Sequence, residues 1–207
     1  MRIPLFPLSN VVLFPGNVLP LHVFEPRYRQ LTEDCLAGNR LLGIPLLQPG
    51  HEADDQGRPP IFPVMGMGQI LMDERLEDGR FQLLVYGTKR VQMEHEFAPE
   101  KPYREAQVIE HPDAEEEVPE ELGLLLFDYL ESLSGDSPEL KEGIAQLTKG
   151  LNSPVELADL ISGQLIPDVL VRQDLLEERS PTARIERVMA YLASLNSFGE
   201  AANDYLH

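Results

Sequence analysis

The chain has 207 residues, a formal net charge of −18 and a single cysteine, and that length buries a core without covalent staples. A lone Cys35 excludes an internal disulfide and a cysteine-rich zinc site, and fits a reducing compartment. No run approaches the ~18 apolar residues of a membrane span, and "MRIPLFPLSN" lacks the apolar core of a secretory signal, so a soluble cytoplasmic protein without membrane contact is expected.

The charge is uneven. Residues 1–112 carry 15 acidic side chains against 11 basic ones, whereas residues 113–207 carry 20 against 6. Nucleic-acid backbones are held mainly by Lys and Arg displacing condensed counterions, so this balance argues against a nucleic-acid partner. The acidic half reads either as a solvated surface or as a surface for a cationic partner.

In chain order, the first element is "LFPLSNVVLFPGNVLPLHVFEP", Leu5 to Pro26, which threads four prolines through strand-forming Val, Leu and Phe. Proline has no backbone donor and is tolerated in sheets at starts, edges and bulges. The segment is therefore expected to give short strands at Val11–Phe14 and Leu21–Phe24, a tight turn at Pro15-Gly16, and apolar side chains facing a barrel interior. The spacing of the prolines is too wide for a polyproline ligand. "RYRQLTEDCLAGN" then predicts a helix, with Pro26 in its first turn, Tyr28, Leu31, Cys35 and Leu36 on one side, and Gly38 at its end.

"LLGIPLL" reads as a strand, and residues 49–60 read as an exposed loop. His51, Glu52, Asp54 and Asp55 in that loop lack the helical spacing of a metal site, so no metal is expected. Gly68 to Met93 reads as a hairpin turning at Asp78-Gly79, with Phe81, Leu83 and Val85 alternating on the returning strand and a bulge at Gly87. "YREAQVIEH" is a further strand. Short bent strands of this kind predict a small, closed or partly closed barrel.

From Asp113 the apolar period changes from two to 3.6. Leu122, Leu125, Leu126, Tyr129, Leu130 and Leu133 form one helical stripe, and Ile185, Val188, Met189, Leu192 and Leu195 form another. Ser137-Pro138, Ser153-Pro154 and Ser180-Pro181 are helix starts, and Ser153 with Glu156 has the spacing of a capping box. The expected organisation is a β unit over 1–112 and a bundle of about four helices over 113–207.

Chemistry-bearing motifs are missing from the sequence. There is no phosphate-binding glycine loop, nucleophile elbow or Cys/His cluster. Lys89, Lys101, Lys141 and Lys149 lie in polar stretches unsuited to a catalytic Ser/Lys pair. His22, three before Glu25, reads as a packed or hydrogen-bonded histidine. No enzymatic activity and no cofactor are expected.

"FPLSNVVLFPGNVLPLHVFEPRYRQL", "LEDGRFQLLVYGTKRVQM", "PVELADLISGQL" and "LLEERSPTARIERVMAYL" together resemble the Lon N-terminal domain, the substrate-binding domain of the ATP-dependent Lon protease, from about Ile3 to Leu195. The resemblance implies an α+β fold, a PUA-like β pseudo-barrel followed by a C-terminal helical bundle. It also implies a protein- or peptide-binding module with unfolded polypeptide as partner. Leu8-Ser9-Asn10 departs from the Leu-Arg-Asp usual in the family, so no role of that Arg-Asp pair is carried over. With no ATPase or peptidase region following, the chain reads as a stand-alone, non-catalytic Lon-domain protein; an RNA-binding PUA-like protein is the alternative.

An open strand edge beside apolar side chains suits an extended peptide. The candidate surface is Phe14, Pro15, Phe24 and Tyr28, with Arg27 or Arg29 meeting a carboxylate. The competing assignment for Phe14 and Phe24 is the barrel core.

Overall fold

The computed structural model describes residues 1–50, 58–132, 134–135 and 137–204, without the side chains of 195–204. The chain divides into two compact units: Met1–Pro112 with Pro167–Glu177, and Asp113–Ile166 with the chain from Glu178 onward. The boundary at 112/113 coincides with the change of hydrophobic period. The return of Pro167–Glu177 to the first unit is not visible in the sequence pattern. The tempting loop residues His51, Glu52, Asp54 and Asp55 lie outside the described residues.

The first unit is built on six strands: β1 (Arg2–Leu5), β2 (Val18–Val23), β3 (Leu41–Ile44), β4 (Val64–Arg75), β5 (Phe81–Glu96) and β6 (Arg104–Glu110). Pairing runs β2-β5-β4-β3-β1-β6, and the C-terminal half of the long β5 also pairs with β6. The sheet thus curls into a pseudo-barrel, with β2 appended along the N-terminal half of β5. The β4–β5 hairpin turns where expected. Gly79 alone takes a positive φ, +80°, while the Asp78 carboxylate accepts from the Arg80 amide at 3.1 Å. The bulge falls at Thr88, beside Gly87, and the Thr88 hydroxyl donates to the Met67 carbonyl at 3.0 Å.

The proline-threaded segment behaves differently from the expectation. Residues Val11–Phe14 form no ladder, although Val12, Leu13 and Phe14 are buried. Their backbone passes against β4 and β5 at glycines: a Cβ at Gly66 would overlap the Leu13 carbonyl, and one at Gly87 would overlap the Phe14 carbonyl. The segment therefore fills the interior of the curled sheet as an extended strap. Pro15-Gly16 then makes the tight turn, with Gly16 at φ +78° and the Asn17 amide donating to the Phe14 carbonyl at 3.2 Å.

Helix α1 (Pro26–Ala37) follows the expected boundaries and buries Tyr28, Leu31, Thr32 and Cys35. Tyr28, Leu31 and Cys35 join Phe6, Val23, Ile70, Phe81 and Val85 in one core cluster, while Ile3, Leu5, Met65, Val91 and Val108 belong to a second.

In the second unit lie α2 (Glu120–Ser132), α3 (Pro138–Thr148), α4 (Pro154–Gln164) and α6 (Pro181–Asp204); α5 (Val169–Glu177) belongs to the first unit. The serine caps form as the sequence predicts: Ser137, Ser153 and Ser180 hydroxyls accept from the amides of Leu140, Glu156 and Ala183. Glu156 reaches back one residue further than a standard box, to the Asn152 amide at 2.7 Å. Leu126 and Leu130 of α2, Leu157 and Ile161 of α4, and Ile185, Val188 and Leu192 of α6 are buried. Leu125, which the α2 stripe places inward, is 54% exposed. The α6 stripe packs around a fully buried Arg184, whose guanidinium holds Asp113 in a two-pronged pair at 2.9 Å and Asp159 at 3.1 Å.

Candidate functional site

A cleft of about 300 Å³ opens in the first unit between the start of α1 and the loop joining β5 to β6. Its apolar lining includes Tyr28, Phe97 and Tyr103 with Pro7, Pro99 and Pro102, all rigid side chains that offer contact area at small entropic cost. Tyr28 is held by its ring stacked 4.2 Å from that of Phe6, and the Arg27 guanidinium lies 4.6 Å from the centre of the same ring.

The charged lining residues are Arg27, Arg58, Lys101, Arg104 and Glu105, and each cation carries an acidic partner. Arg27 pairs with Glu25 at 2.9 Å, Arg104 with Glu96, Arg58 with Glu96 at 3.6 Å, and Lys101 with Asp34 at 2.9 Å. Tyr103 links two of these groups, because its hydroxyl donates to Asp34 while Lys101 donates to it at 2.7 Å. Burial, and then the bond to Asp34, push the Tyr103 phenol up to about 12. Bonds from Tyr103 and Lys101 hold the Asp34 carboxyl below its usual range, and those to Tyr103 and Asp34 raise the Lys101 ammonium. At neutral pH this trio therefore offers neither a free amine nor a phenolate. It presents hydrogen-bond donors and charge to the cleft.

The six residues singled out from the sequence do not come together. Arg27 and Tyr28 line the cleft. Phe14 is fully buried and has no surface to offer a ligand, and its assignment to a binding face is corrected to core. Pro15 is half-buried in its turn. Phe24 is 61% exposed, beside the ring of His22 at 6.2 Å. Arg29 lies over the hairpin turn, where its guanidinium occupies the space a Cβ on Gly79 would need. His22, expected to be packed, stands exposed on β2. Lys101, read as solvated, is tied into the Asp34–Tyr103 network.

An open edge does exist. Among the described residues β2 pairs only with β5. Because Gly87 donates to the Asn17 carbonyl, alternation turns the groups of Val18, Pro20 and His22 away from β5. Pro20 supplies no donor at the centre of that edge, which blunts it as a template. The sequence reading missed the β5–β6 loop, "FAPEKPYR". Its signal is the same interleaving of proline with aromatic residues that marks the opening segment.

A family model described as the substrate-binding domain of the ATP-dependent protease La (Lon) matches residues 2–194. The chain belongs to this family. The Lon protease of Desulfosudis oleivorans is 24% identical over 192 residues, covering 92% of this chain and 23% of that protein. The Lon protease of Dictyoglomus thermophilum is 26% identical over 203 residues, covering 97% and 25%. The chain thus spans about a quarter of the length of these Lon relatives. A Lon N-terminal domain protein from Xanthomonas campestris superposes with a TM-score of 0.68 at 26% identity, covering 92% of this chain and 98% of that one. The N-terminal domain of the Mycobacterium avium complex Lon protease gives 0.70 at 18%, covering 93% and 98%, and bears on the fold alone. The α+β Lon-domain fold expected from the ordered sequence blocks is the one found. Among the described residues no helix is long and apolar enough to cross a membrane, and no group of three or more His, Cys, Asp or Glu side chains is placed to hold a metal.

Proposed function

We propose that the β unit is a non-catalytic binding module that takes a short stretch of non-native polypeptide into the Tyr28 cleft. The observation that carries this is the make-up of the cleft: rigid aromatic and proline side chains interleaved with ion-paired cations. The rings and prolines accept varied apolar side chains without demanding one shape. Arg27 retains donors toward solvent that can meet a carboxylate or a main-chain carbonyl. Membership of a family described as substrate-binding supports the same reading. The pairing of the cleft cations with Glu25, Asp34 and Glu96 weakens the alternative of an RNA site, since a phosphate would have to displace those carboxylates.

The test is fluorescence anisotropy with labelled, permanently unfolded casein. Phe97→Ala and Arg27→Glu, each verified by its melting temperature, are expected to weaken binding about tenfold, the effect of losing a central contact. Unchanged affinity in folded variants overturns the assignment to the cleft. Tighter binding of single-stranded RNA than of casein, with a steep loss in salt, overturns the polypeptide reading itself.

A further inference from the structure

The helical unit carries a surface that the cleft reading does not use. Helix α3 buries none of its side chains, yet Leu140, Ile144 and Leu147 recur at i, i+4 and i+7. Leu140 and Leu147 stand 55% and 51% exposed. With Leu130 of α2 and Ile161 and Leu165 beside them, they line an open groove of about 260 Å³ in which, among the described residues, Glu139 is the one charged lining residue. Gly143 lies in its floor, and a Cβ built there meets nothing within 4 Å. Across Ile144 a wider hollow begins, edged by Phe127, Asp128 and Glu131 and by one cation, Lys141. Residues 113–166, which supply both hollows, carry 13 acidic side chains against two basic ones.

An apolar floor inside an acidic surround selects its occupant by charge. A second copy of this chain would bring like charge against like, and an acidic or phosphate-bearing partner meets the same repulsion. We propose that the α3 groove docks a basic amphipathic segment of a partner polypeptide. Its apolar side chains, spaced three and four residues apart, would enter the groove while flanking Lys and Arg side chains lie over Glu139, Asp128 and Glu131. This site is separate from the Tyr28 cleft and does not depend on it.

The experiment titrates the full chain with two labelled helical peptides of identical leucine pattern, one carrying Lys and the other Glu at the polar positions. Only the Lys peptide is expected to bind, with affinity falling about tenfold between 50 and 500 mM salt as exposed charges are screened. Gly143→Leu, which fills the floor while replacing glycine in an exposed helix by a better helix former, is expected to abolish that binding. Gly143→Ala should leave it intact, as should Phe97→Ala in the cleft. Binding of the Lys peptide that survives Gly143→Leu is adhesion to an acidic protein and overturns the groove. Equal binding of both peptides overturns the charge selection. Concentration-dependent dimerisation that Leu147→Glu removes identifies a second copy as the occupant and overturns the proposal.

Discussion

The Arg90 guanidinium on β5 donates through Nε to the main-chain carbonyl of Leu176, 3.1 Å away, at the C-terminal end of α5. Arg90 is only 6% exposed, and the same guanidinium lies 5.8 Å from the centre of the Phe14 ring. One side chain thus ties the strap inside the sheet to a helix that arrives much later in the chain. It also places a cation where the last carbonyls of α5 lack helical partners. Gln173 and His111 add bonds to the Val64 and Glu177 carbonyls at 2.9 and 3.2 Å.

Arg90→Ala is therefore expected to cost about 1.5–3 kcal/mol in urea denaturation, the range for a hydrogen bond to a charged group. Arg80→Ala, which removes only the exposed pair with Asp78, should fall within about 0.5 kcal/mol of the parent. Equal effects from the two would show that α5 is not held through Arg90.

Phe14 and Phe24 separate core from surface in a single segment. Phe14→Ala is expected to destabilise by about 3–5 kcal/mol, because a fully buried ring leaves a cavity among partners that cannot all collapse. Phe24→Ala, at 61% exposure, should change stability by about 0.5 kcal/mol or less. Thermal melts of both variants decide this.

The Asp34–Tyr103–Lys101 trio predicts a signature at both ends of the pH scale. Asp34 is held below its unfolded value by bonds from Tyr103 and Lys101, so its contribution is present above about pH 4 and is lost as the pH falls through the folded pKa. Tyr103 is raised by burial and by Asp34, so its contribution is complete below about pH 10 and is lost as the pH rises toward about 12. Urea midpoints measured across pH should show the gap between wild type and Tyr103→Phe narrowing above pH ~10, and that to Asp34→Asn narrowing below pH ~4. A gap independent of pH in either case contradicts the linkage.

The purified protein is expected neither to hydrolyse ATP nor to cleave casein. The motivation is the missing phosphate loop and nucleophile motif in the sequence, together with a cleft whose lysine and phenol are held protonated. Turnover that follows the protein through a sizing column would sink this expectation.

What the sequence determined by itself is local. Gly79 set the hairpin, the Ser-Pro pairs set the starts of α3, α4 and α6, and the change of period at Asp113 divided the β-rich chain from the helical one. Each is governed by φ/ψ preferences or by side-chain spacing within a few residues. Tertiary structure decided the rest. Val11–Phe14 has the composition of a strand, yet its backbone is strapped inside the sheet, because Gly66 and Gly87 leave room for the carbonyls of Leu13 and Phe14. A missing Cβ acquires that meaning only when another backbone arrives beside it. Likewise Val169–Glu177 lies within the span 113–207 expected to form the bundle, yet Arg90 and Gln173 claim it for the β unit. The cleft joins Pro7, Tyr28 and the Phe97–Tyr103 loop from three separate stretches of chain. Such a juxtaposition is fixed by strand order and register, quantities that no local window of sequence contains.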